Sequence, residues 1–175
     1  MSETPCVSFV DVFKPADIRH IVALGEAADP QKGKVNGASH TIRDCEVAWL
    51  DDKALAARLW GAIQDINQAF FRLDLDGLER MQYTVYRPGG KYDWHMDKGP
   101  KTQHPRKLSI TVQLSSPDDY EGGDFHVWTG HEPEATRKSY GAVICFPSWI
   151  INRVEPVTKG TRRSLVAWAY GPAFR

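Results

Sequence analysis

The chain has 175 residues, the size of one domain built around one core. Hydrophobic residues at 42% and charged residues at 25% match an ordinary globular chain and exclude disordered and fibrous classes. Lys plus Arg and Asp plus Glu each number 22, so the formal net charge is zero, which argues against binding driven by nucleic-acid phosphates.

In chain order, Met1-Ser2-Glu3-Thr4-Pro5 has neither a basic start nor an apolar stretch, which predicts no signal peptide. Pro15 opens a helix carrying Ile18, Ile21, Val22 and Leu24, with Gly25 and Pro30 as stop signals. Residues 31–40 read as a polar loop. A second helix is capped by Asp51 or Asp52. It carries Leu55, Leu59, Ile63, Ile66 and Phe70 on one face and closes at Asp76-Gly77.

From Met81 the pattern changes to strands and turns. Tyr83 and Val85 lie on a strand that ends at Pro88-Gly89-Gly90. Leu108, Ile110, Val112 and Leu114 alternate with Ser109, Thr111 and Gln113, the period of a half-buried strand. Further strands are expected over 125–128, 142–146, 150–154 and 165–170. Short strands separated by turns predict a sandwich or barrel. One domain over 1–175 is expected, with a helical buttress over about 1–78 and a β-core over about 79–175. No apolar run is long enough to span a bilayer. Cys6, Cys45 and Cys145 fit neither a disulfide framework nor a Cys-x-x-Cys site, which points to reduced thiols in a cytoplasmic protein.

Two segments carry candidate chemistry. On extended backbone His95 and Asp97 project the same way, as two members of a two-His-one-carboxylate iron(II) site would. Arg162 lies ten residues beyond Asn152 and suits bidentate capture of a carboxylate; its bland alternative is a surface salt bridge. Lys98, Lys101, His104, Arg106 and Lys107 form either a solvated loop or a positive rim favouring an acidic substrate. Trp94, Trp128 and Trp149 either pack the core or line a pocket, packing being the commoner role.

The ordered set Tyr86, Tyr92, His95, Asp97, the strand 106–114, Ser116 to Gly123, Phe146-Pro147-Ser148 and Val154-x-Pro156-Val157-x-x-Gly160-x-Arg162 resembles the prolyl 4-hydroxylase-like iron(II)/2-oxoglutarate dioxygenases. The PKHD-type hydroxylases are the most similar group. The resemblance implies a mainly-β α+β fold, a double-stranded β-helix (jelly roll) with N-terminal helices packed on one sheet. It implies iron(II), 2-oxoglutarate and O2, with ascorbate as a candidate reductant, and hydroxylation of a C–H bond in a peptidyl prolyl or small amino-acid-like substrate. His95 and Asp97 match metal ligands, Arg162 the residue holding the C5 carboxylate of 2-oxoglutarate, and Tyr86 a cosubstrate-contacting aromatic. Gln113 replaces a second such Tyr.

Asn152 stands where the family has its second histidine ligand. A natural variant that works, a natural non-enzyme and a deliberate His-to-Asn change all account for it. An amide oxygen is a weaker donor to iron(II) than imidazole. His126 is the alternative ligand, on a strand of the same sheet; His104 and His131 read as solvated loop residues, and His20 and His40 lie away from the motif set. The alternative function is a jelly-roll binding protein that keeps a carboxylate pocket.

Overall fold

The computed structural model describes residues 6–9, 12–32, 42–97 and 105–173. The chain runs β1 (Val7–Phe9), α1 (Pro15–Ala27), β2 (Gln31–Lys32), β3 (Arg43–Asp44), β4 (Glu46–Leu50) and α2 (Lys53–Ile66). It continues through β5 (Gly77–Leu78), β6 (Met81–Tyr86), β7 (Lys91–Met96), β8 (Arg106–Gln113), β9 (Tyr120–Gly122) and β10 (Phe125–Trp128). The last elements are β11 (Pro133–Ala135), β12 (Val143–Pro147), β13 (Ile151–Val154), β14 (Val157–Gly160) and β15 (Arg162–Tyr170).

The helices start as their sequences dictate and end differently. Pro15 sits in the first turn of α1, and the Lys14 amide donates to Asp17 Oδ2 at 2.7 Å. Helix α1 passes straight through Gly25, which lets the Tyr83 ring lie against the helix backbone. Asp52 caps α2, accepting from the Leu55 amide at 2.7 Å. A π turn over Asn67–Phe71 then shifts the helix phase, and Arg72 stops it in the left-handed region at φ 54°, before Gly77. That phase shift leaves Phe70 exposed, with its ring centroid 5.5 Å from that of Phe9.

Two antiparallel sheets carry the fold. The major sheet runs β1-β12-β8-β15-β6-β4-β2, with β5 beside β15; the minor sheet runs β11-β10-β13-β7-β3. Strands β1 to β4, all from the first 78 residues, join these sheets, so that stretch is not helical alone. One face of the major sheet, with Tyr83, Leu108, Ile110, Val112 and Leu165, packs against Ile18, Ile21, Leu59 and Ile63 of the helices. The other face meets the minor sheet, where the Phe125 and Phe146 ring centroids are 5.7 Å apart.

The alternation in β8 has a different meaning from the one its period suggests. Ser109, Thr111 and Gln113 are as buried as Leu108, Ile110 and Val112. Their face is paired in register with Ser164, Val166 and Trp168 of β15 and looks into the space between the sheets. Polar residues alternating along a strand here mark the wall of an internal cavity rather than solvent.

Candidate functional site

The cavity between the sheets has a volume of about 540 Å³. The minor sheet contributes His95, Asn152, Val154 and Phe125, and the major sheet contributes Gln82, Tyr86, Arg162 and Trp168. All six residues singled out from sequence fall in this one region. Five line the cavity, and Gln113 is held against it by Arg162.

His95 is the penultimate residue of β7 and Asp97 follows its last residue, Met96, so the two side chains lie on one side of the extended chain and converge, with Nε2 3.2 Å from Oδ1. Two ligands at ~2.1 Å on adjacent positions of one metal ion would be ~3 Å apart, close to this spacing. His95 Nδ1 lies 2.7 Å from the Asp93 carbonyl and donates to it, which turns Nε2 toward Asp97 and the cavity. Tyr92 stacks on the imidazole at 3.5 Å between centroids and fixes its plane. Burial pushes the Asp97 carboxyl up, but the hydrogen bond and charge of His95 outweigh it and hold the group below the usual carboxylate range. Asp97 is therefore an anion at neutral pH.

Asn152 lies directly across the β7–β13 ladder from His95 and is buried. Its Nδ2 reaches the carbonyl oxygens of His95 (3.4 Å) and Ile150 (3.3 Å). An amide turned the other way would set oxygen against oxygen, so this orientation is fixed and Oδ1 remains as the free acceptor. Among the described residues, no group of three His, Cys, Asp or Glu side chains forms a metal site. His126 does not supply the missing ligand. It pairs with Arg153, whereas Asn152 pairs with Val127, so it faces out of the sandwich, with Nδ1 3.7 Å from Glu155 Oε1.

At the other end Arg162 is 1% exposed. Its Nη2 donates to Gln113 Oε1 at 3.0 Å, and the guanidinium carbon sits 5.3 Å from the centroid of the Tyr86 ring. Among the described residues, Nε and Nη1 have no partner, nor does Gln113 Nε2. A surface salt bridge, the bland reading of Arg162, is thus replaced by a buried cation with two idle donors. Gly123, at φ +60°, makes room for it: a β-carbon there would crowd Arg162 Cδ at 3.2 Å and Val157 Cγ2 at 2.9 Å. Burial pushes the Tyr86 hydroxyl far up, keeping it a neutral phenol.

Sequence reasoning missed several wall residues. Arg43 reaches the cavity from β3, and Trp49 and Trp168 line it with ring centroids 6.3 Å apart. Trp94, Trp128 and Trp149 do neither of the things expected of them. Trp128 and Trp149 are exposed, and Trp94 lies against Trp128 and under the Arg153 guanidinium. Of the basic run expected at the rim, Lys98, Lys101 and His104 fall outside the described residues. Arg106 is not a free rim cation: it forms a fork with Glu79 (2.8 and 2.7 Å) and donates to the Asp97 carbonyl at 3.2 Å.

The sequence profile of the 2OG-Fe(II) oxygenase superfamily matches residues 81–170, just over half of the chain. The chain belongs to that superfamily. Its relatives include a PKHD-type hydroxylase of Gloeothece citriformis, 28% identical over 163 residues, a stretch covering 90% of this chain and 74% of the relative. Another, from Bordetella pertussis, is 28% identical over 173 residues, covering 93% and 76%. Among solved structures, a Pseudomonas putida prolyl-4-hydroxylase superposes with a TM-score of 0.79 at 19% identity, covering 95% of this chain and 92% of that one. A viral collagen prolyl hydroxylase from Paramecium Bursaria Chlorella virus-1, solved with 2OG, gives 0.74 at 14% identity, with 96% and 97% covered. These likenesses establish the mainly-β double-stranded β-helix fold with two helices on its major sheet. Among the described residues, no helix of this oxygenase-superfamily chain is long and apolar enough to cross a membrane.

Proposed function

We propose that this protein is an iron(II)- and 2-oxoglutarate-dependent dioxygenase that hydroxylates a C–H bond of a peptidyl prolyl or small amino-acid-like substrate. In this reading His95 Nε2 and Asp97 hold the metal, with Asn152 Oδ1 or water in place of the second histidine. Arg162 holds the C5 carboxylate of 2-oxoglutarate, and Tyr86 and Gln113 flank it. The observation that carries the reading is the pairing, in one cavity, of a His–Asp donor set with a buried guanidinium whose Nε and Nη1 have no protein partner. A buried cation with idle donors is costly unless an anion completes it, so the residues present fit a dicarboxylate. Two of three expected metal donors fit a divalent cation, and the third is weaker.

When bound, iron(II) and 2-oxoglutarate supply the oxidising chemistry: O2 converts 2-oxoglutarate to succinate and carbon dioxide while the substrate is hydroxylated. The protein's own part is positioning. The Asp93 carbonyl holds the His95 tautomer, and the low pKa of Asp97 keeps it an acceptor. Arg162 orients the carboxylate by charge-assisted hydrogen bonds, and Gln113 fixes the guanidinium plane. Phe125, Val154 and Val166 exclude water from the walls. The cavity volume lies within the range of small-molecule sites, about 300–1,000 Å³. One superposed structure, a prolyl hydroxylase from Trichoplax adhaerens, was solved with a peptide fragment, which supports keeping peptides among the substrates.

Asn152 favours a second reading, a binding protein that keeps the carboxylate pocket without turnover. Calorimetric titration with 2-oxoglutarate and iron(II), followed by succinate release with ascorbate present, separates the two. The dioxygenase reading expects binding of both and succinate formation. Binding of 2-oxoglutarate without succinate selects the second reading, and no binding of either rejects both.

A further inference from the structure

The cavity holds a second guanidinium that the cosubstrate does not account for. Arg43, on β3 at the edge of the minor sheet, lines the same cavity as His95, Asp97 and Arg162. Its Nε donates to Cys45 Sγ at 2.9 Å, and its guanidinium carbon lies 4.8 Å from the centroid of the Tyr92 ring. Tyr92 in turn stacks on His95. This column of guanidinium, phenol and imidazole holds Arg43 in a fixed pose beside the metal donors. Among the described residues no carboxylate pairs with it. The third cavity arginine, Arg106, is by contrast matched by Glu79. Burial pushes the Cys45 thiol up, so it stays neutral and does not balance Arg43.

The charges of the site then leave a remainder. Asp97 offsets one of the two unmatched guanidinium groups. A divalent metal ion offsets a bound dicarboxylate. One positive charge is left over on Arg43, a half-buried side chain facing the cavity, where an unpaired charge is partly desolvated and an anionic ligand would gain from meeting it.

We infer that Arg43 is a specificity residue that captures a carboxylate on the substrate to be hydroxylated, so that the favoured substrates are anionic. The inference rests on the dioxygenase reading, because it assigns Arg162 to 2-oxoglutarate and leaves Arg43 for the second ligand. The terminal nitrogens of Arg43 form a fork suited to a planar carboxylate, and its Cys45 and Tyr92 contacts pre-order that fork.

The test uses the full chain loaded with Mn(II) and 2-oxoglutarate. Its probes are a panel of N-acetyl amino acids and their uncharged N-methylamides, followed by calorimetry and by tryptophan fluorescence. The acids should bind about ten- to a hundredfold more tightly than the matching amides. Arg43→Met should erase that preference while leaving 2-oxoglutarate affinity within about threefold, and Arg43→Lys should restore part of it. No preference in the parent protein, whether both probe classes bind or neither does, overturns the inference. So does an Arg43→Met variant that loses 2-oxoglutarate instead of the acids. If 2-oxoglutarate does not bind the parent at all, the dioxygenase reading fails on its own. The preference is then read in Arg162→Met, where its survival supports Arg43 as a carboxylate site and its loss rejects it.

Discussion

Replacing Arg162 by Met should move stability and cosubstrate affinity in opposite directions. The guanidinium is buried, makes one hydrogen bond to Gln113, and leaves Nε and Nη1 without a partner. In the empty protein it is a desolvated charge whose penalty, even after relaxation, is several kcal/mol. Met has a similar length and no charge. Its introduction forfeits about 1 kcal/mol for the Gln113 hydrogen bond and removes the larger charge penalty. The net is a gain of about 1–2 kcal/mol, roughly 2–8 °C in Tm for a domain of this size. In the loaded protein the two idle donors would each make a charged hydrogen bond worth about 1.5–3 kcal/mol. Their loss should weaken 2-oxoglutarate by roughly two to four orders of magnitude. Calorimetric unfolding of the empty protein and isothermal titration with 2-oxoglutarate read the two arms. A variant that is less stable when empty and binds 2-oxoglutarate normally would refute the reasoning, because Arg162 would then be a structural cation.

Two further substitutions test the scaffold. Gly25→Ala should cost about 1–3 kcal/mol despite alanine's better helix propensity, since the new β-carbon would overlap the fully buried Tyr83 ring; thermal unfolding reads it. Glu26 accepts from Arg163 Nε and from the Tyr83 hydroxyl, each at 2.8 Å, and Arg163 above all lowers its pKa. A carboxyl lowered in the folded state stabilises above its unfolded pKa, about 4.3, and loses that contribution as pH falls through the folded value. Glu26→Gln should therefore lower Tm at pH 7 and approach the parent's Tm on acidification below about pH 4; a gap that widens on acidification would contradict this.

Much of the site was legible because its chemistry is local. His95 and Asp97 are two apart on one extended segment, so their convergence follows from strand geometry alone. Arg162 and Tyr86 are far apart in sequence but sit opposite each other in the β15–β6 ladder, and only the ordered motif set joined them before the structure did. Arg43 was invisible for a physical reason. Strand β3 has two residues, too short for any periodicity to announce it, and its place is set by pairing with β7. Ser109 and Thr111 read as a solvent face for another reason. Alternation distinguishes two faces of a strand, but it does not say whether the polar face meets bulk water or an internal cavity. The end of α2 was lost to the π turn, which shifts the face without a Gly or Pro to mark it.

Asn152 itself allows the sharpest test of the metal site. The amide nitrogen of Asn152 reaches the carbonyl of Ile150, two residues back, just as His95 Nδ1 reaches the carbonyl of Asp93, two residues back. A histidine at 152 therefore finds a ready acceptor for its Nδ1–H, and that bond would leave Nε2 as the free donor, as it does in His95. The side chain lies across the ladder from His95 on the cavity face, so the new nitrogen would join His95 and Asp97 rather than solvent. Asn152→His should accordingly raise iron(II) affinity by at least about tenfold, since imidazole is the better donor to a first-row divalent ion. The sign of the pH dependence follows. A third ligand set containing two imidazoles releases an additional proton on binding at low pH, so the variant's advantage should shrink as pH falls below about 6.5. Equilibrium dialysis with iron(II) under anaerobic conditions, repeated across pH, measures both effects, and succinate release shows whether turnover rises with occupancy. Equal affinity in the two forms would mean that position 152 does not face the metal, and since His126 points out of the sandwich, water would be left as the third donor beside His95 and Asp97.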